Sequence, residues 1–170
     1  MNLKRALAIE GFTTEKELIW LAEQASKYKV IIEIGSWLGR SATAMAENTH
    51  GIVIVVDKFH HLNDNNYGKH NQQIMINNFL ENIDGINNIL IAPIDHSAFS
   101  IENADMVFID GNHEYDNVKR DIEKWLGKKN VLLCGHDFGA SKWPDVARVV
   151  NELIPTYQVV TDTTIWWVQL

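Results

Sequence analysis

The sequence predicts an α/β protein, a three-layer sandwich with helices on both faces of a mostly parallel, seven-stranded sheet. Five short apolar segments alternate with helical segments, an order typical of strand–helix–strand units. These segments lack the polar alternation of half-exposed strands, which indicates burial on both faces. The last two strand-like segments are joined by residues 162–164 alone, and a link this short permits only an antiparallel hairpin.

The first half of the chain carries the predicted elements in regular order. The first helix follows Thr14, whose spacing to Glu17 is that of a capping box. Apolar residues recur at helical intervals beyond it, as expected for a helix with one buried face. The next predicted elements are a strand at 30–34, a helix at 41–47, a strand at 52–56, a helix at 72–83 with Ile76, Phe79, Leu80 and Ile83 on one face, and a strand at 89–91.

The second half continues the alternation. Pro144 suits the first turn of the last helix, whose apolar stripe runs to Leu153. We find no composition break, linker or repeat, and therefore expect a single domain over residues 1–170. The predicted elements are a strand at 106–109, a helix at 115–126, a strand at 131–134, the last helix, and the hairpin strands at 157–161 and 165–168.

Composition limits the classes of function. The net charge of −7 disfavours a general nucleic-acid binder, which would normally carry a basic patch. The single cysteine, Cys134, excludes an internal disulfide and a four-cysteine zinc site, and so favours a reducing, cytoplasmic compartment. The first ten residues hold no apolar stretch long enough for a signal peptide or a membrane span. We expect a small-molecule partner, no nucleic acid and no membrane, and homo-oligomerisation stays open.

Polar residues fall at the end of every predicted parallel strand. The carboxyl ends of such strands form one edge of the sheet, and ligands of open α/β sheets bind in the crevice beyond it. This regular placement is the main functional evidence in the sequence. The polar segments are 33–35, Asp57, 95–97, 110–113 and 136–137.

The turn after the first strand and the residue that ends the second strand indicate a nucleoside ligand. Gly35 and Gly39 allow a tight turn, although their spacing differs from the glycine pattern of nicotinamide and flavin sites. Glu33 suits a positively charged ligand better than a pyrophosphate, and a plain strand-to-helix turn is the alternative. Asp57 stands where a carboxylate accepts ribose hydroxyls, with a turn cap as its alternative. A ribose beside an acid, without a phosphate loop, suggests an adenosyl sulfonium.

Two motifs carry a resemblance to a known family. The pattern F-I-D-G-x-H-x-Y-x-x-V-x-x-D-x-x-x-W at 108–125, followed by G-H-D at 135–137, resembles class I S-adenosylmethionine-dependent methyltransferases. The likeness is strongest to the small metal-dependent O-methyltransferases that include the macrocin and mycinamicin sugar O-methyltransferases. The second motif, E-x-G-x-x-x-G-x-S at 33–41, is less specific. The resemblance extends from about residue 30 to residue 168 and implies a Rossmann-like fold.

The resemblance implies a set of residues that bind S-adenosylmethionine. Asp57 would hold the ribose, with Lys58 and Phe59 beside the adenine. His96 and Ser97 would lie near the adenine amine, although the family usually has a glycine where Asp95 stands. The methionine part would lie against the first motif, whose cofactor-binding residues are Glu33, Gly35, Ser36, Gly39 and Ser41.

The resemblance also implies a divalent metal site and a general base. Asp110 would face both cofactor and metal, Asp137 with His136 would complete the metal site, and His113 would be the base. Two carboxylates at neighbouring strand ends suit Mg²⁺, which uses few protein ligands. Relatives often carry a carboxylate where His136 stands, and an imidazole favours Mn²⁺, Fe²⁺ or Zn²⁺. His136 is thus open as a ligand, a supporting group, a second base or part of a structural turn.

The polar segment after the second strand is predicted to be a loop. His60, His61 and Asp64 lie in it, but no firm spacing supports a metal site there. The loop at 58–70 lies over the expected crevice and is a candidate lid.

Three classes of function remain after the sequence has been read. The leading one is S-adenosylmethionine-dependent, metal-assisted O-methyl transfer to a small hydroxylated substrate. The second is a non-catalytic module of the same fold that binds the cofactor or a metal. The third is metal-dependent hydrolysis or hydroxylation.

Overall fold

The computed structural model describes residues 1–59, 72–99, 101 and 103–170. Seven strands within these ranges form a single sheet. In chain order the elements are α1 (Lys4–Ala8), α2 (Glu15–Ala25), β1 (Val30–Ile34), α3 (Arg40–Ala46), β2 (Ile52–Val56), α4 (Gln72–Asn82), β3 (Ile89–Ala92), a 3₁₀ turn (His96–Ala98), β4 (Met106–Ile109), α5 (Tyr115–Glu123), β5 (Leu132–Gly135), α6 (Pro144–Leu153), β6 (Gln158–Val159) and β7 (Trp166–Gln169).

The strand order is β3-β2-β1-β4-β5-β7-β6, with β1 to β5 parallel and the two last strands antiparallel. This arrangement confirms the predicted parallel sheet with its closing hairpin. The register aligns Ile34 with Val56 and Ile109, and Ile109 with Gly135. The carboxyl ends of four strands are therefore level, so that the residues following them share one edge.

Both faces of the sheet are buried, which explains why the parallel strands are almost entirely apolar, with Glu33 as the charged exception. Ile32 and Val107 face α5 and α6 in one core, whereas Ile31 and Val53 face α2, α3 and α4 in the other. The alternation follows from the period of two along a strand. Helices on both sides of the sheet confirm the three-layer prediction.

A few boundaries differ from the predictions. Helix α1 was not predicted, since a five-residue helix with one buried residue, Ala6, leaves almost no periodic signal. Leu80 was predicted on the buried face of α4, which is wrong: the residue is 45% exposed, and Met75 is buried instead. The predicted strand at 157–161 shortens to two exposed residues, because little packs on this edge.

Two further observations complete the fold. Only Lys58 and Phe59 of the candidate lid at 58–70 belong to the described ranges, so that His60, His61 and Asp64 lie outside them. Among the described residues, no helix combines the length and the apolar character needed to cross a membrane.

Candidate cofactor and metal site

The turn after β1 touches the loop after β4 because its first residue is glycine. Gly35 has a φ of +82°, in the left-handed region. A Cβ atom placed on it would lie 2.3 Å from the carbonyl oxygen of Asp110, well inside contact distance. Only glycine permits this approach, which brings the two signature motifs side by side.

Glu33 lies beneath this turn and is fully buried. The hydroxyl of Ser41 donates to Oε1 at 2.5 Å, whereas Oε2 has no well-aligned hydrogen bond among the described residues. Burial, together with the negative charges of Asp110 and Asp57, raises the pKa of Glu33 to about 8. A buried oxygen without a partner calls for an explanation, and a ligand's ammonium group supplies one. The residues of the turn thus fit the amino group of a methionine-like ligand.

Asp57 accepts three backbone hydrogen bonds. Oδ2 accepts from the N–H groups of Ser36 and Trp37 at 2.8 and 2.9 Å. Oδ1 accepts from the N–H of Phe59 at 2.6 Å. The alternative role as a turn cap is therefore present in the structure. An ionised carboxylate has about four acceptor positions, which leaves capacity for a ribose hydroxyl.

The residues expected near the adenine differ in exposure. Lys58 Nζ lies 3.6 Å from Asp95 Oδ2, with both side chains partly exposed. The Phe59 ring is buried and packs edge-on against Phe79, with ring centroids 5.1 Å apart. Its side chain therefore belongs to the core beside α4, and its N–H is already bonded to Asp57.

The segment after β3 is held by α5. His96 Nδ1 contacts the carboxylate of Asp121, which is buried at the centre of that helix. Lys124 Nζ donates to the carbonyl oxygen of His96 at 3.3 Å, and the N–H of Ser97 donates to Asp95 Oδ1 at 2.9 Å. These contacts fix the backbone of the segment while using the His96 imidazole within the protein.

The ends of β4 and β5 bring three side chains together. His113 Nε2 lies 2.7 Å from Asp137 Oδ2 and 3.8 Å from Asp110 Oδ1. One donor atom from each of these residues lies within 4.8 Å of the others, a spacing that could hold a metal ion. The His113 ring also stacks on Trp143, with centroids 4.4 Å apart and planes inclined by 16°.

The charges of this cluster depend on one another. Burial alone would lower the pKa of His113, but the carboxylates of Asp110 and Asp137 raise it to about 9. Burial would raise the pKa of Asp137, yet the imidazoles of His113 and His136 hold it well below its usual range. Without a metal ion the cluster therefore holds protons between its carboxylates.

His136 lies between this cluster and α2. Its Nδ1 is 3.4 Å from Asp137 Oδ2 and 3.6 Å from Asp110 Oδ1, while its Nε2 is 3.2 Å from Glu17 Oε2. These three carboxylates raise its pKa to about 11 against the effect of burial. Because two of these carboxylates are also the ones that would hold a metal ion, His136 stays open as a ligand or as a supporting group. The predicted metal set of Asp110, His136 and Asp137 is brought together, with His113 beside it.

Glu17 was missed as a site residue. Its capping box is confirmed, because the N–H and the hydroxyl of Thr14 each donate to Oε2 at 2.8 Å. A capping box accounts for an acid at this position, so the sequence pattern left nothing further to explain. The contact with His136 depends on how α2 packs beside β5. Trp143 was missed for the same reason, since its stacking partner lies thirty residues earlier.

The donors at this edge fit a divalent cation. Two carboxylates suit Mg²⁺, and the addition of an imidazole suits Mn²⁺, Fe²⁺ or Zn²⁺. A small cavity beside the cluster, with room for about one water molecule, is lined by Asp110, His113, His136 and the apolar Val118, Val146 and Trp166, among others.

The sequence from residue 32 to residue 138 matches the model of a family described as a methyltransferase domain. The match covers more than half of the 170 residues. No curated protein matches the chain.

Solved structures with the same fold include three that are informative. An O-methyltransferase from Bacillus cereus, in complex with SAH, has a TM-score of 0.65 and 16% identity over 99% of this chain and 90% of that chain. A TDP-rhamnose 3′-O-methyltransferase of calicheamicin biosynthesis has a TM-score of 0.61 and 10% identity over 92% and 81%. The N-methyltransferase NodS from Bradyrhizobium japonicum has a TM-score of 0.61 and 14% identity over 89% and 90%.

At these identities the structural matches show a shared fold only. The family match, by contrast, shows which family the sequence belongs to. It includes the strand β1, the glycine turn, Asp57, and the ends of β4 and β5. The chain therefore belongs to the methyltransferase domain family and is a class I S-adenosylmethionine-dependent methyltransferase.

Proposed function

We propose that the protein transfers the methyl group of S-adenosylmethionine to a hydroxyl oxygen of a small acceptor, with a divalent metal held by Asp110 and Asp137. The observation that carries this proposal is the cluster of Asp110, His113 and Asp137 directly beside the glycine turn. Oxygen transfer requires a group that removes the hydroxyl proton, and an imidazole close to a cation site provides one.

The residues of the turn would bind and orient the cofactor, which supplies an electrophilic methyl group on a sulfonium. Glu33 would receive its ammonium group at the unpartnered Oε2. Asp57 would accept a ribose hydroxyl while it keeps the turn in place through its backbone bonds. Two buried or half-buried carboxylates at this edge also favour a cationic ligand electrostatically.

Asp110 and Asp137 would hold the metal, which lowers the pKa of a bound hydroxyl and orients it when present. His113 would take the hydroxyl proton on Nε2, the atom that faces both carboxylates. Trp143 fixes the plane of the His113 ring by stacking, so that the base has one orientation.

The proposed acceptor is inferred from the reactions of the structural neighbours and from the resemblance of the motif at 108–125. Two of the structural neighbours act on oxygen, one of them on a sugar nucleotide, and NodS acts on nitrogen. Together with the motif at 108–125, this favours a small hydroxylated metabolite such as a sugar.

The single Cys134, buried in β5 and with its thiol pKa raised by burial, suits a reducing cytoplasm.

The cofactor assignment is tested by calorimetry with S-adenosylhomocysteine, and the role of Asp57 by a comparison of ligands. Wild-type protein should bind adenosine more tightly than 2′,3′-dideoxyadenosine by about tenfold or more, since Asp57 has capacity for one ribose hydroxyl and a lost hydrogen bond to a charged group costs about 1.5–3 kcal/mol. Asp57→Asn should reduce this preference whatever its effect on the turn. An unchanged preference would remove the ribose role, and no binding of S-adenosylhomocysteine would contradict the proposal as a whole.

The reaction itself is tested with labelled S-adenosylmethionine and panels of hydroxylated and amine acceptors, with and without chelator. Methylation of a hydroxyl that is lost with EDTA and restored by Mg²⁺ or Mn²⁺ is the expected result. Activity that persists in EDTA would remove the metal, and methylation of amines alone would replace oxygen by nitrogen.

A further inference from the structure

We propose that Glu17 is a positioning residue for the metal site, holding both the His136 imidazole and the backbone of Asp137 from outside the sheet. Glu17 belongs to the first helix turn of α2 and contributes nothing to the motifs at the strand ends. The role rests on the metal site of the proposed function and adds to it a residue from a different element.

The first connection is direct. Glu17 Oε2 lies 3.2 Å from His136 Nε2, and both side chains are buried. The opposite ring nitrogen, Nδ1, faces Asp110 and Asp137 at 3.6 and 3.4 Å. The contact with Glu17 is an ion pair without an aligned hydrogen bond, and its charge attracts the ring edge opposite the one that faces the two carboxylates.

The second connection passes through the link between β6 and β7. Glu17 Oε1 accepts from the N–H and the hydroxyl of Thr164 at 2.9 and 3.0 Å. The same hydroxyl oxygen accepts from the N–H of Asp137 at 3.2 Å, and the Thr164 carbonyl accepts from the N–H of Phe138 at 2.9 Å. Thr164 thus binds the backbone on both sides of the Asp137 Cα atom, and Glu17 holds Thr164 in place.

These hydrogen bonds stabilise a part of the backbone that has an unfavourable conformation. Asp137 has a φ of +62°, a conformation that is uncommon for a residue other than glycine. The left-handed turn directs its carboxylate toward His113, at 2.7 Å. A backbone held in such a conformation depends on its hydrogen-bond partners. Two bonds join it to Thr164, and two more join Thr164 to Glu17.

A capping role alone does not account for Glu17. A capping box requires only the bonds with Thr14, which use Oε2. Among the described residues Oε1 accepts only from Thr164, and the side chain is 3% exposed, whereas capping acids normally reach solvent. A buried carboxylate is costly unless paired, and its partner here is the imidazole beside the metal cluster.

The test measures Mn²⁺ affinity by electron paramagnetic resonance in the full chain without cofactor, so that no catalytic activity is needed. Glu17→Gln, which keeps the shape and removes the charge, should weaken Mn²⁺ binding about tenfold or more, as loss of an outer partner of a metal ligand commonly does. Thr164→Val, which removes the hydroxyl link to Asp137, should weaken it in the same direction. The second variant keeps the test valid if the first does not fold.

A matched control is Asp105→Asn. Asp105 accepts from the N–H groups of Lys29 and Val30 at the opposite edge of the sheet, and the change is again from carboxylate to amide. We expect this variant to bind Mn²⁺ as tightly as the wild type does, even if it is destabilised as much as Glu17→Gln. Asp137→Asn reports on the metal site itself and should abolish tight binding.

The outcomes separate the two proposals. If Asp137→Asn loses Mn²⁺ but folded Glu17→Gln and Thr164→Val bind as the wild type does, the positioning role is overturned and the metal site stands. If Asp105→Asn weakens binding as much as Glu17→Gln, the effect is general destabilisation and the role is again overturned. A wild type that binds no Mn²⁺ overturns the metal part of the proposed function, and the role of Glu17 with it.

Discussion

Glu33 holds a proton at neutral pH because burial raises the pKa of its carboxyl group to about 8. Its unpartnered oxygen lies under the turn that would bind the methionine part of the cofactor. An ammonium group placed against this oxygen favours the ionised form and lowers the pKa. Ligand binding and proton loss at this residue are therefore coupled.

We predict that binding of S-adenosylhomocysteine at pH 7 releases a proton from Glu33. Calorimetry in two buffers with different ionisation enthalpies measures the number of protons released. Glu33→Gln should abolish this release and weaken binding about tenfold or more, since it loses a charge-assisted contact. An equal release in the variant would assign the proton to another group and contradict the role of Glu33.

A second prediction concerns His113, which the geometry allows as a base or as a metal ligand. For a base, His113→Asn should lower kcat by about 10²-fold or more while leaving Mn²⁺ affinity nearly unchanged. Steady-state kinetics and Mn²⁺ titration of the same protein measure both. A parallel loss of Mn²⁺ affinity would make His113 a ligand and remove it as the base.

Among the elements, the contact between the turn after β1 and the loop after β4 is the one that joins the cofactor and metal motifs. Gly35→Ala would place a Cβ 2.3 Å from the Asp110 carbonyl oxygen at a φ of +82°. We predict a loss of several kcal/mol in the free energy of unfolding, measured by urea denaturation. The left-handed conformation alone costs about 1–2 kcal/mol, and the backbone overlap adds to it.

Gly85→Ala is the control for this prediction. Gly85 has a φ of +77° but nothing within 4 Å of the position of a Cβ atom. Its substitution should cost only the conformational part, about 1–2 kcal/mol. Equal losses in the two variants would show that the approach of the two loops contributes nothing to stability.

The elements also show how far the sequence predicts this molecule. Strands β1, β2 and β4 have the predicted bounds, because each is a mostly apolar run followed by glycine or aspartate. The convergence of Asp110 and Asp137 followed from parallel pairing alone. Glu17 and Trp143 could not be predicted as site residues, because their contacts arise from the packing of α2 and of the segment before α6. Hydrophobic periodicity and motif spacing do not show how these elements pack against each other.

For the whole molecule, the site's titrating groups give stability a defined pH dependence. The pKa of Glu17 is lowered to about 2 and that of Asp137 is also lowered, so their stabilisation is complete above their unfolded-state values and is lost as the pH falls. The pKa values of His113 and His136 are raised to about 9 and 11, so their stabilisation is complete below about 6.5 and is lost as the pH rises. The pKa of Glu33 is raised from 4.5 to about 8, so its contribution to the free energy of unfolding also falls as the pH rises through this range.

We therefore predict that the metal-free protein is most stable near pH 5, where the carboxyl groups of lowered pKa are ionised and Glu33 has only begun to lose its contribution, and that it loses on the order of 2 kcal/mol or more toward pH 9. Urea denaturation at pH 3, 5.5 and 9 measures the profile. Glu33→Gln should make the fall between pH 5 and pH 8 shallower, since its amide cannot ionise. A wild-type profile that is flat from pH 5 to pH 9 would contradict these charge assignments.

The sheet as a whole places the cofactor turn, Asp57 and the carboxylate cluster along one edge, and we propose that this edge binds an adenosyl cofactor beside a divalent metal. A crystal structure with S-adenosylhomocysteine and Mn²⁺, whose anomalous signal locates the ion, tests it most directly. We predict the amino group of the ligand at Glu33, its ribose at Asp57, and Mn²⁺ between Asp110 and Asp137. Mn²⁺ bound elsewhere with both carboxylates free of it, or a nucleoside outside this crevice, would contradict the account.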